Sequence, residues 1–281
     1  MTHVRSALLL GCGYVAKATA PLLRDAGFAL TGTTRTAAKA DGLRRLGIEP
    51  LIEPGPAALV AALQAASHVL VSVPPDAAGD PLLAQIGKPE LPRLEWLGYL
   101  STTGIYGDAN GGWVDETTPP APGEARSQRR LAAERKWLEL TGRTRIFRLA
   151  GIYGPGRSAL DKLADGSARR IVKTGQVFSR IHVADIARTV MASIAQPDIE
   201  GPFNLADGEP APHADVVSFA AGLMGVDPPP LEKFEDADMS AMLRSFYDSS
   251  RRVSGEKTRR ELGVDLAFPT YREGLAAIYS T

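Results

Sequence analysis

The sequence contains one cysteine and four histidines among its 281 residues. A single cysteine, Cys12, excludes a disulfide bond within the chain and fits a reducing, cytoplasmic compartment. With so few thiols and imidazoles, no stretch has the spacing of a zinc site, and we expect no metal ion. Because Cys12 lies inside a predicted turn, we expect it to pack as a small side chain rather than react as a thiol.

The chain also lacks an excess of charge and a long apolar run. Its 32 basic and 32 acidic residues cancel, so nothing in the charge balance favours binding to nucleic acid or to an anionic membrane. No apolar run has the length of a membrane span, and the chain begins with a predicted strand instead of a signal peptide. The length suits one large α/β domain with a smaller appendage, and we expect a cytoplasmic protein with a small-molecule ligand.

The feature that the sequence does contain is a glycine-rich turn near its start. An apolar run over residues 7–10 continues into Gly11-Cys12-Gly13-Tyr14-Val15-Ala16 and then into a helical segment. This order of strand, tight turn and helix predicts the phosphate-binding turn of a dinucleotide fold. Gly11 would allow a sharp turn, and Gly13 would let the backbone approach a pyrophosphate. The helix N-terminus would offer N–H groups and partial positive charge to the phosphates.

The end of the second predicted strand, residues 28–33, bears on the choice of dinucleotide. An NAD-specific site places Asp or Glu there for the ribose 2′-hydroxyl, but no carboxylate occurs between Asp25 and Asp41. The strand ends instead in Thr33-Thr34-Arg35, whose hydroxyls and guanidinium suit a 2′-phosphate. This pattern favours NADP(H) over NAD(H). The alternative is that Arg35 is simply an exposed arginine at the start of a helix.

Apolar strands alternate with helices through the first half of the chain. Strands are predicted at residues 49–52, 69–73, 96–101 and 144–149, and helices at 57–66 and 126–140. This order predicts an α/β fold, a Rossmann doubly wound parallel sheet with a small C-terminal substrate lobe. We place the NAD(P)-binding core at 1–153, with 180–207 returning to it, and the lobe at 154–179 and 208–281. The loops 11–16, 72–75, 101–106 and 150–154 would then meet at one crevice.

Four segments outside the glycine turn carry recognisable patterns. They are Ser101-Thr102-Thr103-Gly104-Ile105-Tyr106-Gly107, Gly151-Ile152-Tyr153-Gly154-Pro155, Arg180-Ile181-His182-Val183-x-Asp185 and Tyr271-Arg272-x-Gly274-Leu275. In this order they resemble the NAD(P)-dependent epimerase/dehydratase family of extended short-chain dehydrogenases/reductases. The family's counterparts are Ser-Ser-x-x-Val-Tyr-Gly, Asn-Val-Tyr-Gly-Pro, Phe-Ile-His-Val-x-Asp and Tyr-Arg-x-Gly-Leu.

The resemblance implies roles for particular residues. Thr102 matches the family's catalytic Ser/Thr, which hydrogen-bonds a substrate carbonyl or hydroxyl, and the loop 149–152 would flank the nicotinamide. The commonest substrates of the family are nucleotide-sugars, and its members form dimers, here through the helix that bears Arg130 and one near 82–87. The alternative is that Thr102 simply caps the end of its strand.

The resemblance fails at the family's Tyr-x-x-x-Lys pair, which lies on the helix after strand five. Arg126 stands in place of the tyrosine and Arg130 in place of the lysine, and no tyrosine occurs between Tyr106 and Tyr153. A phenol beside a cation can exchange a proton at neutral pH, whereas arginine stays protonated. Arg130 could still hold the nicotinamide ribose. The arginines of this helix could also be only its solvated face.

Two replacements for the missing tyrosine remain open. Tyr106 could supply a phenol from the same loop as Thr102. Alternatively, Arg126 could stabilise an anionic group or a developing oxyanion while water or the Asp115-Glu116 pair moves the proton. His182 could also titrate near the crevice, but the family has a histidine there as a strand residue, and we expect the same here.

The substrate lobe is the least informative region. Residues 157–180 have a basic character, to which Arg157, Arg169, Arg170, Lys173 and Arg180 contribute and which only Asp161 and Asp165 oppose. This suits a phosphorylated or carboxylated ligand, although a helix facing solvent would look much the same. The segment 245–247, with Tyr247, could line the mouth of the site or fill a small core.

Together these observations indicate an NAD(P)-binding oxidoreductase or epimerase of the extended short-chain group, NADP-dependent and acting on a polar, nucleotide-sugar-like metabolite. The alternative is a non-catalytic NADP(H)-binding redox sensor that acts through a protein partner, which the missing Tyr-x-x-x-Lys pair favours. The candidate catalytic residues are Thr102, Arg126, Arg130 and Tyr106, and the candidate substrate residues are Arg157, Arg180 and Tyr247. The candidate cofactor residues are Gly11, Gly13, Tyr14, Val15, Ala16, Thr33, Thr34, Arg35, Ser72, Val73, Pro74, Ser101 and Ile152.

Overall fold

The computed structural model describes residues 5–280. In these residues the strands are β1 (Ser6–Leu10), β2 (Ala29–Thr34), β3 (Ile48–Ile52), β4 (His68–Val71), β5 (Trp96–Thr102), β6 (Trp113–Val114), β7 (Thr144–Leu149), β8 (Gly151–Tyr153), β9 (Arg170–Val172), β10 (Arg180–His182), β11 (Phe203–Leu205), β12 (Leu231–Lys233) and β13 (Arg252–Val253). The α-helices are α1 (Tyr14–Asp25), α2 (Ala40–Arg45), α3 (Pro56–Ala65), α4 (Pro81–Ile86), α5 (Ala125–Leu140), α6 (Ala159–Ala164), α7 (Val183–Ala195), α8 (His213–Met224), α9 (Ala241–Ser245), α10 (Glu256–Leu262) and α11 (Tyr271–Tyr279).

Seven strands form one parallel sheet in the order β11–β7–β5–β4–β1–β2–β3. Parallel neighbours need crossover connections, and helices supply them between successive strands of this sheet. The chain builds outward from β1 through β2 to β3 and then returns to β4 on the other side of β1. The order therefore reverses between β1 and β4, and ligands of such sheets bind at the strand ends beside this point. The predicted Rossmann-type α/β fold is confirmed.

Alternation along the first strand explains why both faces of the sheet are covered. Successive side chains of a strand point to opposite faces. Leu9 accordingly packs in a cluster with Ala16 of α1, and Leu8 and Leu10 pack in another with Leu63 of α3. A short apolar run thus holds helices on two sides, which a strand with one wet face could not do.

Two smaller apolar clusters lie outside the large sheet. One joins Tyr153, Leu160, Val216 and Tyr271 from β8, α6, α8 and α11. The other contains Ile171, Ala237 and Tyr247. Short parallel pairs, β10 with β8, β12 with β9 and β13 with β6, complete this part of the chain.

The division into core and lobe stays a prediction. β11 lies at the edge of the large sheet, but Val253, Leu262 and Val264, which the sequence assigned to the lobe, pack in the same cluster as Leu9. Within residues 5–280, no helix is both long enough and apolar enough to cross a lipid bilayer.

Candidate active site

The glycine turn is held by side chains from two neighbouring strands. Gly11 has a φ of +87°, and a Cβ there would lie 2.8 Å from the Val73 side chain, so both the conformation and the space require glycine. Its N–H donates to Thr33 Oγ1 over 2.8 Å, and its carbonyl accepts a hydrogen bond from Ser72. Three predicted cofactor residues, Thr33, Ser72 and Val73, therefore shape the turn itself.

The second glycine of the turn faces open space. A Cβ on Gly13 would meet nothing within 4 Å, and no side chain caps the helix that starts at Tyr14. The first N–H groups of α1, including that of Val15, have no partner within the helix. Ala16 is fully buried, so the helix lies close to β1. Space and donors together fit a pyrophosphate at this turn.

The end of β2 presents the predicted 2′-phosphate residues to solvent. Arg35 is exposed and makes no ion pair with any residue from 5 to 280, and the Thr34 hydroxyl donates weakly to the carbonyl of Thr36 over 3.5 Å. A free guanidinium here is compatible with a phosphate and equally with a solvated arginine. The preference for NADP(H) stays a prediction.

Cys12, between the two glycines, packs against neighbouring backbone. A Cβ on Gly32 would come within 2.3 Å of its sulfur, and burial raises the pKa of the thiol to about 11. A thiol that holds its proton so firmly is a poor nucleophile. Among residues 5–280, no group of three His, Cys, Asp or Glu side chains could hold a metal ion.

A cavity of about 1430 Å³ lies beyond the carboxyl ends of the sheet strands. Nine of the predicted site residues line it, namely Pro74, Ser101, Thr102, Arg126, Arg130, Ile152, Arg157, Arg180 and Tyr247. The residues of the glycine turn and the end of β2 lie outside it, as does Tyr106. The Tyr14 hydroxyl connects the two groups by donating to the carbonyl of Pro155 over 3.0 Å.

Thr102 both caps a turn and faces the cavity. Its Oγ1 accepts a hydrogen bond from the N–H of Gly104 over 3.1 Å, and this begins a 3₁₀ turn over Thr103–Tyr106. The hydroxyl hydrogen has no acceptor among the described residues. Thr102 can therefore donate to an oxygen of a ligand while it keeps its structural hydrogen bond.

Ser127 is a cavity residue that the sequence reasoning missed. It is buried on α5, one residue after Arg126, and its hydroxyl makes no hydrogen bond within the described chain. A Cβ on Gly104 would lie 2.8 Å from Ser127 Oγ and 3.3 Å from Thr102 Oγ1. Both hydroxyls thus lie against one glycine. No sequence motif singles out Ser127, because only the packing of α5 against the turn brings it there.

The two arginines of α5 are fixed in different ways. Arg126 pairs with Glu124 over 2.6 Å, and its guanidinium lies 4.0 Å from the ring centre of Phe246. Arg130 donates to the carbonyl of Leu100 over 2.8 Å. Neither is only the solvated face of a helix, since both line the cavity.

The expectation that Tyr106 supplies a phenol to the site is wrong. Its hydroxyl donates to Asn204 Oδ1 over 2.8 Å and accepts from Arg148 over 3.0 Å in a buried network. Burial raises the pKa of the Tyr106 phenol, against the charge of Arg148, which lowers it. Tyr106 ends the 3₁₀ turn after β5, and its side chain packs in the main apolar core instead of the cavity.

The proposed proton carriers Asp115 and Glu116 also lie outside the cavity. Asp115 accepts hydrogen bonds from Thr117 and Thr118, which lower the pKa of its carboxyl group. Glu116 accepts from the backbone of Asn204 over 2.9 Å. Both carboxylates fasten the loop after β6, and the idea that they exchange a proton with a ligand is wrong.

Ser101 and His182 serve the structure as well. The Ser101 hydroxyl donates to the buried carboxylate of Glu134. His182 Nδ1 accepts from the N–H of Ala184 over 3.2 Å at the start of α7, and burial lowers the pKa of the ring. His182 does not line the cavity, in agreement with its interpretation as a strand residue.

Three of the cations expected to give residues 157–180 a basic character are held by neighbouring groups. Glu232, which lies outside that stretch, pairs with Arg169, and the Lys173 ammonium donates to the carbonyl of Tyr247. Arg170 donates to the carbonyl of Pro229 over 3.0 Å and does not reach the cavity. Asp161 and Asp165 are the only acidic residues within the stretch, and Glu232 opposes Arg169 from outside it.

Comparisons with known proteins found similarity to solved structures only. No family model and no curated protein matches the sequence. The chain is similar to a functionally unknown conserved protein from Silicibacter pomeroyi DSS, with 43% identity over 98% of each chain and a TM-score of 0.90. UDP-glucuronic acid 4-epimerase from Bacillus cereus, in complex with NAD, has 17% identity over 98% of this chain and 96% of that chain, with a TM-score of 0.74.

A human epimerase family protein with NADPH has 15% identity over 98% of this chain and 99% of that chain, with a TM-score of 0.70. At such identities the two epimerase structures establish the fold, and the Silicibacter protein establishes the family. The chain therefore belongs to the family of the functionally unknown Silicibacter protein and has the NAD(P)-dependent epimerase/dehydratase fold of the extended short-chain dehydrogenases/reductases.

Proposed function

We propose that this chain is an NADP(H)-binding oxidoreductase or epimerase that acts on a polar metabolite in the cavity beyond its sheet. The observation that carries the proposal is the glycine turn, which leaves open space at Gly13 and unpaired N–H groups at the start of α1. The cavity adjoins this turn through Pro74 and the Tyr14–Pro155 hydrogen bond. A dinucleotide laid across the switch point would bring its nicotinamide to the loop with Ile152.

The cofactor's chemistry would be hydride transfer. The protein would contribute the placement of the substrate oxygen, for which Thr102 and Ser127 offer hydroxyls on the same side of Gly104. Arg126 and Arg130 line the same cavity and stay positively charged. They would stabilise negative charge that develops on that oxygen.

Neither Arg126, which stands where the family has its tyrosine, nor Tyr106 supplies an acid–base group to the site. The phenol of Tyr106 is buried in the core, and arginine does not release a proton near neutral pH. In our proposal the proton is therefore exchanged with water in the cavity, beside the hydroxyls of Thr102 and Ser127. Such a site favours substrates whose reacting group gains or loses a proton easily.

The absence of this phenol also keeps a second candidate open, a sensor that binds NADP(H) without chemistry. Titration calorimetry with NADP, NADPH, NAD and NADH tests both candidates when it is followed by turnover assays on small carbonyl compounds and nucleotide-sugars. Binding with turnover supports the enzyme. Binding without turnover supports the sensor, and no binding of any dinucleotide contradicts both.

Substitution of Thr102 tests whether its hydroxyl acts in catalysis or only in folding. We expect Thr102→Val to lower turnover by about tenfold or more, because a hydrogen bond to the reacting oxygen is lost, and to leave the dissociation constant of NADP(H) nearly unchanged. Thr103→Val is a matched control, since this neighbouring hydroxyl donates to the carbonyl of Leu149 instead. Equal turnover of Thr102→Val and the wild type would make Thr102 only a cap.

A further inference from the structure

One guanidinium stands out because it is buried and still faces the cavity. Arg180 is only 8% exposed, yet it lines the cavity wall. β10 runs parallel to β8, so Arg180 lies beside Gly151, and a Cβ on that glycine would be 3.8 Å from Arg180 Cγ. The arginine stem therefore passes over the glycine that stands where the family has asparagine. It adjoins Ile152, which we expect beside the nicotinamide.

Only one nitrogen of the Arg180 guanidinium donates hydrogen bonds within the described chain. Nη1 donates to the carbonyls of Phe178 and Ala211, over 2.7 and 3.0 Å, and uses both of its N–H groups. Nε and Nη2 have no acceptor among residues 5–280, and Arg180 has no ion pair within 4.0 Å there. The unpaired edge, with Nε and Nη2 side by side, has the fork geometry that a carboxylate matches with two hydrogen bonds.

Asp207 is the acidic group that faces Arg180, and it does not occupy that edge. Its N–H donates to the Arg180 carbonyl over 2.6 Å, and its Oδ1 accepts from Glu209 over 3.3 Å. Its Oδ2 is buried with no hydrogen-bond partner, and the residue does not line the cavity. A buried charge that lacks a paired counterion is costly, which points to a ligand that completes the pairing.

A phenol on the cavity wall lies within the electrostatic reach of Arg180. Tyr247 is buried and lines the cavity, and its hydroxyl makes no hydrogen bond in the described chain. Its ring is held between Phe178 and Phe234, at centroid distances of 5.3 and 5.2 Å, so the hydroxyl has a fixed position. The charge of Arg180 lowers the pKa of this phenol against the burial that raises it.

Two nearby cations are held by other groups, since Arg169 pairs with Glu232 and the ammonium of Lys173 donates to a backbone carbonyl. Arg130, Arg157 and Arg251 also line the cavity. Among these cations Arg180 combines burial, a free planar fork and a neighbouring phenol, and this combination matches a single carboxylate.

We propose that Arg180 and the Tyr247 hydroxyl bind one carboxylate group of the substrate, so that the substrate class is a carboxylic acid rather than a nucleotide diphosphate. The proposal rests on the proposed function in one respect only, since it places the substrate in the same cavity. The carboxylate would accept two hydrogen bonds from the free edge of Arg180 and a third from Tyr247.

Ligand-observed NMR with matched acid and amide pairs tests this assignment. The probes are D-glucuronate against D-glucuronamide, lactate against lactamide, and UDP-glucose and glycerol phosphate as phosphate-bearing ligands, each with and without saturating NADPH. We expect the carboxylates to bind at millimolar concentration and the amides to bind at least about tenfold more weakly. A preference for the phosphate ligands, equal binding of acid and amide, or no binding of any carboxylate would each overturn the proposal.

Variants link the binding to the two side chains. Arg180→Gln should abolish the preference for acid over amide, while Arg188→Gln removes the same charge from an exposed part of α7 and should change nothing. Because Arg180 also holds two carbonyls, Tyr247→Phe serves as a milder variant that keeps the ring packing. It should weaken carboxylate binding about fivefold. Wild-type affinity in both variants would contradict the assignment, and NADPH titration of the same samples reports separately on the proposed function.

Discussion

Gly13 and Gly55 both precede a helix and have similar backbone conformations, but only Gly13 is expected to lie against a ligand. Gly13 caps α1 with a φ of −82°, and Gly55 caps α3 with a φ of −67°; a Cβ would meet nothing within 4 Å at either residue. Neither position needs glycine for its backbone. If the open space at Gly13 holds a pyrophosphate, only the side chain introduced there should affect binding.

We expect Gly13→Val to abolish dinucleotide binding, because the isopropyl group would occupy the space next to the free N–H groups of α1. Gly55→Val makes the same change at the start of α3 and should bind NADP(H) as the wild type does. Titration calorimetry measures both, and thermal unfolding shows whether each variant is folded. A folded Gly13→Val protein that still binds would place the cofactor elsewhere.

Arg35 tests the choice of cofactor at the same scale. A carboxylate at this position would accept from a ribose 2′-hydroxyl and repel a 2′-phosphate. We therefore expect Arg35→Asp to shift the ratio of NADP to NAD affinity by about tenfold or more towards NAD. The exposed Arg45→Asp, on α2, carries the same charge change as a control. An unchanged ratio in Arg35→Asp would remove this residue from the cofactor site.

At the scale of elements, a buried ion pair joins α5 to the sheet. Glu134 and Arg148 form an ion pair over 3.1 Å, with side chains that are 2% and 9% exposed. The Arg148 guanidinium also donates to Tyr106, and Ser101 donates to Glu134, so the network joins α5 to β5 and β7. This fixes the helix that carries Ser127, Arg126 and Arg130 relative to the strand ends.

Removing one partner of this pair should be costly. Glu134→Ala leaves Arg148 buried without a counterion, and we expect a loss of about 3–5 kcal/mol in the free energy of unfolding. Glu139→Ala, at an exposed position of the same helix, should change it by less than about 0.5 kcal/mol. Urea unfolding measures both. A loss below about 1 kcal/mol for Glu134→Ala would mean that water replaces the carboxylate.

The elements and motifs that the sequence predicts correctly are those encoded by neighbouring residues. The glycine turn lies within six consecutive residues, and strands such as β1 and β5 are largely apolar runs bounded by turns. Short elements such as α2, β6 and α9 went unpredicted, because elements of two to six residues show little periodicity. The position of Tyr106 could not be predicted, since its partners Arg148 and Asn204 lie 42 and 98 residues away in the chain.

For the whole molecule, two buried groups make the stability depend on pH in opposite directions. His68 lies on β4 against the rings of Phe28 and Trp96, and burial lowers its pKa from 6.5 to about 4. The folded protein then binds fewer protons there than the unfolded chain, so His68 makes stability fall as the pH drops from 6.5 to 4. Burial raises the pKa of Asp207 from 3.8 to about 7. Asp207 therefore contributes to the stability of the folded protein below pH 3.8, and this contribution is lost as the pH rises to 7.

Replacing Asp207 should reveal its share of the pH dependence of stability, which His68 opposes. Asp207→Asn keeps the shape but cannot ionise, so we expect the variant to gain about 1–3 kcal/mol over the wild type near pH 7. That gain should shrink steadily on acidification towards the unfolded pKa of 3.8. The difference between variant and wild type isolates Asp207, because His68 and the other groups titrate alike in both. Asp198→Asn, at an exposed position, should show no such trend in urea unfolding at a series of pH values. A gain that does not vary with pH would mean that Asp207 stays ionised in the folded protein, with Arg180 as its counterion.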